Sequence, residues 1–221
     1  MKNQDYLYLD HAASTPMRKS AMDKYIEAES FGYANSSGGH KLSRNSKNLL
    51  EDSREKIAEL LNAAQGEIVF TSGGTEADNW TIKSLFNSKR PDDNLVTSNI
   101  EHEAVIASAE WVSSNGYQTK YAKSDRNGLV TKDEFLEQVD NDTKVASLMW
   151  GNNETGIVQP IKDIAREIKI INSSTLFHSD VVQGIISDNI DFHRNGIESA
   201  AISAHKIGGP KGVGAMFIHN K

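Results

Sequence analysis

The chain has 221 residues, 38% of them apolar, and no cysteine. That is enough to bury one substantial core at the upper end of single-domain size, and it excludes disulfides, thiolate metal sites and a cysteine nucleophile within these residues. A net charge of −6 with acids and bases interspersed leaves no basic block for a phosphate backbone, which argues against a nucleic-acid partner.

Residues 1–5 read as a polar lead into a short strand, without the apolar centre of a signal peptide, and no stretch reaches the length of a membrane span. The expected setting is cytoplasmic, with no membrane partner. Beyond this lead, helical and strand patterns alternate with short connections marked by glycine or proline, without an internal repeat or long linker. Such alternation predicts an α/β fold, with helices on both faces of a mostly parallel sheet in three layers.

In chain order, Ser43 to Asn62 is an amphipathic helix, with Leu49, Leu50, Ile57, Leu60 and Leu61 apolar among charges. A strand follows at Ile68 to Phe70, then a helix from about Glu76 to Leu85, a strand at Leu95 to Thr97 and a helix at Ala104 to Trp111. Val145 to Met149 is a strand. Behind Pro160, a residue suited to a first helical turn, Ile161, Ile164, Ala165 and Ile168 fall at helical spacing and predict a helix over 160–171. Strands at Thr175 to Phe177 and Ile197 to Ile202 complete the pattern. Each strand runs into polar or glycine residues, and in open α/β sheets ligands lie beyond those carboxyl ends.

Five of these strand ends carry chemistry. Thr71-Ser72-Gly73-Gly74-Thr75-Glu76 joins a strand to a helix; its glycines admit an anion, the first helical N–H groups point at it, and Thr75 adds a hydroxyl. The same segment also reads as an ordinary tight connection, and it lacks the lysine of a nucleotide P-loop. In Glu101-His102-Glu103 the imidazole can stack on a planar heteroaromatic ring and exchange protons near neutral pH. The alternatives are a helix cap or a metal ligand, and the remaining histidines, at 11, 40, 178, 193, 205 and 219, show no zinc-ligand spacing. Asn152 to Gly156 offers amides to the same face, or is only a turn. Asp180 can hold a pyridine nitrogen protonated, with Gln183 reaching a ring oxygen if a helical turn begins there, or it caps a helix. Lys206, in Ser203 to Gly212, stands between an apolar strand and a glycine-rich turn, the presentation a lysine needs to attack a carbonyl.

The order of phosphate cradle, stacking histidine, amide loop, aspartate with glutamine, then lysine resembles the class V aminotransferase branch of fold type I pyridoxal-phosphate (PLP) enzymes, and within it the cysteine desulfurases. Tyr8 to Pro16 resembles that family's N-terminal signature; Thr71 to Asn79, Glu101-His102, Asn152 to Gly156, Asp180 to Gln183 and Ser203 to Gly214 resemble its other hallmarks. The resemblance implies PLP as cofactor, with Lys206 forming the Schiff base, His102 stacking on the ring and moving protons, Asp180 on the pyridine nitrogen and Gln183 on the ring's phenolic oxygen. It places Gly74, Thr75, Ser203 and His205 on the phosphate, and Asn153 where the substrate carboxylate and ring oxygen meet; no residue is assigned to a metal.

By the same resemblance, residues 16–221 are the PLP-binding large domain, while 1–15 associate with a small domain. The protein is a homodimer that turns L-cysteine or a similar amino acid into alanine plus enzyme-bound sulfur, for a sulfur acceptor or an iron–sulfur cluster scaffold. Family members continue past the point where this sequence stops, into the small domain, a carboxylate-binding arginine and the cysteine that takes up sulfur. These 221 residues by themselves are therefore expected to be inactive in desulfuration. Gly32 to His40 departs from the family's glycine-asparagine-proline run. Selenocysteine lyase, another class V lyase or transaminase, and a non-catalytic PLP-binding module are the alternative readings.

Overall fold

The structure, a computed structural model, describes residues 7–87, 90, 92–185 and 190–220. Residues 1–5, read as a polar lead, lie outside the described residues, and 7–10 form no strand. Seven strands make one sheet: β1 (Ile68–Thr71), β2 (Asn94–Ser98), β3 (Gln118–Ala122), β4 (Thr143–Ser147), β5 (Leu176–Asp180), β6 (Ser199–Ser203) and β7 (Gly214–Ile218). Their order is β1-β7-β6-β5-β4-β2-β3. β3, β2, β4, β5 and β6 pair in parallel, while β7 runs against both β6 and β1. The expected three-layer α/β architecture with a mostly parallel sheet is therefore what forms.

The helices are α1 (Lys19–Phe31), α2 (Lys41–Leu60), α3 (Gly74–Leu85), α4 (Glu103–Ser114), α5 (Lys132–Leu136) and α6 (Ile161–Ile171). Strand side chains alternate between two faces, and the core divides accordingly. Ala146, Phe177, Ala200 and Ile202 join Ile161, Ile164, Ala165 and Ile168 of α6 and Ala58 of α2. On the other face Leu95 and Val145 pack with Ile82 of α3 and Val105, Ala109 and Val112 of α4. Ala201 meets Ala77 and Met216 there. Ser199, His178 and Asp180 have the parity of Ala201 and therefore look toward α3.

The helix read over 43–62 is α2, displaced two residues toward the N-terminus because His40 caps it, its ring nitrogen accepting from the Ser43 N–H. The divergent segment 32–40 builds this approach: Gly32 closes α1 on the Ala28 carbonyl, and Asn35 accepts from the Ser37 N–H and hydroxyl. The strand read at 145–149 ends at Ser147, although Leu148 and Trp150 still donate to the carbonyls of His178 and Asp180. The strand read at 175–177 runs on to Asp180, which stands on its last residue. Sequence periodicity gave no signal for α1, β3, α5 or β7. α1 has no buried residue, α5 is five residues long, and β3 is a half-exposed edge strand. β7 is a continuous apolar run behind glycines, the ambiguous pattern of a fully buried strand.

Candidate active site

The carboxyl ends of β1, β2, β4, β5 and β6 open on one cavity of about 260 Å³. All nine residues singled out in the sequence line it: Gly74, Thr75, His102, Asn153, Asp180, Gln183, Ser203, His205 and Lys206. They lie on five stretches of chain spread over 133 positions, and only the strand order brings them together.

At one end is the amino terminus of α3. Gly73 is its N-cap, and no side chain caps the helix. Glu76 turns back to take the Ser72 N–H at 2.6 Å. A Cβ built on Gly73 would meet nothing within 4 Å, so the first N–H groups of α3 face open space, an arrangement that attracts an anion. Gly214 lets this turn approach β7, since a Cβ there would lie 2.6 Å from both the Gly73 Cα and the Ile202 carbonyl. Ser203, at the end of β6, and His205, in the helical turn Ala204–Lys206, border the same space. Burial and the neighbouring Lys206 and Lys211 push the His205 imidazole down.

Lys206 closes the turn. Gly208 follows at φ +84°, a left-handed conformation that suits glycine, and its N–H binds the Thr15 hydroxyl. The Lys206 ammonium donates to the Ala12 carbonyl at 2.5 Å. Burial lowers its pKa, while Asp180 and Asp10 act in the opposite direction. Gln183 donates to the same carbonyl at 2.8 Å, in a turn over 182–185. Residues 8–15 thus lie across the cavity mouth, folded by the Tyr8 hydroxyl on the carbonyls of Asp10 and Ser14.

His102 is both a helix cap and a cavity wall. Its Nδ1 accepts from the Ala104 N–H at 3.1 Å, which leaves Nε2 to carry the proton. Asp180 likewise caps its own turn, Oδ1 accepting from Val182, yet it is 5% exposed and lines the cavity. Burial, helped by Asp78, pushes its carboxyl up to about 7. In the loop read as a source of amides, Asn153 lines the cavity, whereas Asn152 builds the turn: its Oδ1 accepts from Glu154 and Thr155 and its amide donates to the Ile100 carbonyl.

Four further lining residues were given no role in the sequence reading: Ala13, Asp78 and Val182, inside hallmark stretches, and Met149, at the end of a predicted strand. Asp78 was detectable, since it stands one helical turn beyond Gly74 and shares its face. It is 1% exposed and binds His178 Nε2 at 3.0 Å, while His178 Nδ1 faces the Ser199 hydroxyl at 3.2 Å. Burial pushes Asp78 up to about 8 and His178 down to about 4. Glu101 is also buried and raised to about 8; its Oε1 takes the Ser98 hydroxyl and the Met149 N–H, tying β2 to β4 directly behind His102. His193 and His219, without ligand spacing in the sequence, meet at Glu67 instead of at this cavity.

The aminotransferase class-V family model matches residues 7–221. The chain is 37% identical over 213 residues to the cysteine desulfurase IscS of Methanosarcina thermophila, covering 96% of this chain and 52% of that one. It is 38% identical over 221 residues to IscS of Neisseria meningitidis, covering 97% and 53%. A solved NifS-like protein superposes with a TM-score of 0.94 at 35% identity, over 97% of this chain and 59% of that one. SspA in complex with cysteine gives 0.91 at 33%, over 96% and 61%. The chain spans about half the length of the curated relatives it matches. No helix among the described residues is long and apolar enough to cross a membrane. With the family's model matched from residue 7 to the last, and with this strand order around this cavity, the chain belongs to the class-V aminotransferases.

Proposed function

We propose that this chain is the cofactor-binding large domain, residues 16–221, of a PLP-dependent cysteine desulfurase. Residues 1–15 belong with a small domain, the protein is a homodimer, and it acts in the cytoplasm. The observation that carries the reading is the donor set of the cavity. An uncapped helix terminus with Thr75, Ser203 and His205 suits a phosphate; the buried Asp180 carboxyl in the same lining suits a protonated heterocyclic nitrogen; the Lys206 amine lines the same cavity. No single-charge ligand answers all three.

When bound, PLP supplies a ring that draws electrons from an attached amino acid. The chain's own residues do the rest. Lys206 Nζ is the covalent attachment point, and burial raises its share of the uncharged, nucleophilic amine. Burial raises the proton affinity of Asp180. A cationic partner would turn its buried carboxyl into half of a charge-assisted pair. His102 would stack against the ring; with Nδ1 occupied by the Ala104 N–H, Nε2 is the nitrogen left to give or take a proton. Gln183 and Asn153 supply amides to the ring and substrate oxygens, Gln183 after leaving the Ala12 carbonyl. The substrate is L-cysteine, converted to alanine as its sulfur passes to a thiolate, then to an acceptor or an iron–sulfur scaffold. These 221 residues hold no cysteine, so that thiolate comes from outside them, and the polypeptide by itself is a PLP-binding module.

Borohydride reduction after PLP loading tests the site: the adduct is expected on the peptide holding Lys206 and absent from Lys206→Ala. An adduct on another lysine overturns the assignment. Cysteine added to the loaded 221-residue polypeptide, without other thiol, is expected to give no persulfide or sulfide above the Lys206→Ala background; turnover above it means another nucleophile takes the sulfur.

A further inference from the structure

We propose that Glu67, His193 and His219 form a binding site for a divalent transition-metal ion of the zinc type, at the end of the sheet opposite the cofactor cavity. One potential ligand atom from each residue lies within 4.8 Å of the others. Glu67 Oε2 is 2.9 Å from His193 Nε2, and Oε1 is 2.8 Å from His219 Nδ1. In a tetrahedral zinc site with bonds near 2.0–2.1 Å, neighbouring ligand atoms stand about 3.3 Å apart. Each Glu67–imidazole contact therefore needs to open by about half an ångström, and the ligand atoms, already within 4.8 Å of one another, need to converge on one point.

The ligands are held from three directions. Glu67 ends the helical turn before β1, His219 follows β7, and His193 lies in the segment leading to β6. Sheet pairing fixes the first two, since Ile68 is opposite Phe217. The imidazole of His193 rests edge-on against Phe217, with ring centres 5.5 Å apart, and against His219 at 4.7 Å. A ligating carboxylate needs outer hydrogen bonds to hold its orientation. The N–H groups of Ala64 and Asn220 already supply them, one to each oxygen.

The charges also suit a cation. Glu67 is 3% exposed. Its two oxygens are met by the N–H groups of Ala64 and Asn220 and by the rings of His193 and His219, a set of partners aimed at a carboxylate. An imidazole takes up a metal through whichever ring nitrogen is free of a proton, the proton residing on the other nitrogen. Both rings remain about one-third exposed, 34% each, giving an ion a path in and room for water as a fourth ligand. Two imidazoles with one carboxylate favour zinc, cobalt or nickel over magnesium and calcium, which take oxygen ligands. Ser199 pairs with Ile218 at this end of β6 and Ser203 with Gly214 at the other, so the two sites are separated by about 15 Å of strand. The bound ion would staple β1, β7 and the 190–196 segment without touching the cofactor.

The test uses the purified protein, PLP-loaded and stripped of metal with a chelator, titrated with zinc by calorimetry and with cobalt by visible absorption. One zinc per chain is expected. At zinc 100-fold above its dissociation constant the thermal midpoint should rise by about 5–10 °C, and cobalt should give tetrahedral absorption. His193→Gln/His219→Gln keeps amide donors for Glu67 but removes both imidazoles. It should fold with a near-normal midpoint in chelator, lose zinc affinity by more than about 100-fold, and show no zinc-dependent shift. Zinc binding by this variant at parental affinity overturns the proposal, as does a parent protein that prefers magnesium or takes up no zinc. If the double variant fails to fold, the single His219→Gln decides by the same two readings.

Discussion

Asp180 and Glu67 are both carboxylates less than a tenth exposed, at opposite ends of the same sheet, and their protons behave in opposite ways. Glu67 receives two backbone N–H groups and faces two imidazoles, and it sits near 2. Asp180 takes one N–H, from Val182, with Asp78 nearby, and it sits near 7. Burial raises both. What decides the outcome is how many donors the fold has already supplied. Glu67 has been satisfied by the protein itself and acts as a tie between strands. Asp180 has been left short of positive charge at the mouth of a cavity, which is how a protein reserves a place for a cationic ligand.

Removing each charge should therefore harm different properties. Glu67→Gln puts an amide NH₂ among donors and should destabilise the fold by about 3–5 kcal/mol, the range for breaking a buried charged network, with cofactor retention in the surviving folded protein little changed. Chemical denaturation measures it, and a loss below about 1 kcal/mol would mean the imidazoles and N–H groups find water instead. Asp180→Ala should do the reverse. PLP retention should fall about 10- to 100-fold, corresponding to a lost charge-assisted bond of roughly 1.5–3 kcal/mol, while the empty protein at pH 8 is no less stable. Unchanged PLP affinity would reduce Asp180 to the cap of its turn.

The two carboxylates also predict opposite pH slopes in the empty protein. Glu67 is depressed from 4.5 to about 2, so in that window the unfolded chain binds the extra proton, and stability is lost as pH falls through it. Asp180 is raised from 3.8 to about 7. There the folded chain keeps the proton, and stability falls as pH rises through that interval. Thermal midpoints from pH 2 to 8 should show the acid limb flattened in Glu67→Gln and the near-neutral decline reduced in Asp180→Asn. If neither variant changes its own limb, the charge states argued for the two sites are wrong.

The contrast also marks what a sequence makes legible. Asp180, Lys206, His102 and the Ser72–Thr75 turn each sit at a strand end, where local pattern and ligand chemistry coincide, so the cavity lining could be read residue by residue. α6 was legible for a similar reason: Ile161, Ile164, Ala165 and Ile168 fall on one helix face, and that face is the buried one. The Glu67 cluster was not, because its members lie 126 and 152 positions apart and only the antiparallel return of β7 joins them. Hidden for the same reason was His178. Placed by the sequence just beyond the strand ending at Phe177, it is a wholly buried strand residue whose partner, Asp78, is 100 positions away. Nor does α1 announce itself, since with no buried face it leaves no apolar stripe to detect.

Asp78 provides the finest adjustment of the comparison, because it acts on Asp180 through space. Its carboxyl is a cause, after burial, of the raised Asp180 proton affinity. Asp78→Asn keeps the shape and a hydrogen-bonding partner for His178, while removing any charge Asp78 acquires as pH rises. Asp180 should then ionise at lower pH, and PLP retention should reach its plateau earlier on the pH axis. The gain below that plateau is expected to be modest, on the order of threefold, or less than 1 kcal/mol. It is read from PLP dissociation constants between pH 6 and 9, with Asp78→Ala as the control that also removes the His178 contact. If Asp78→Asn instead weakens retention at every pH, the carboxyl contributes through the His178–Ser199 chain that positions β5 beside β6. Asp78 would then be a positioning residue whose charge is irrelevant.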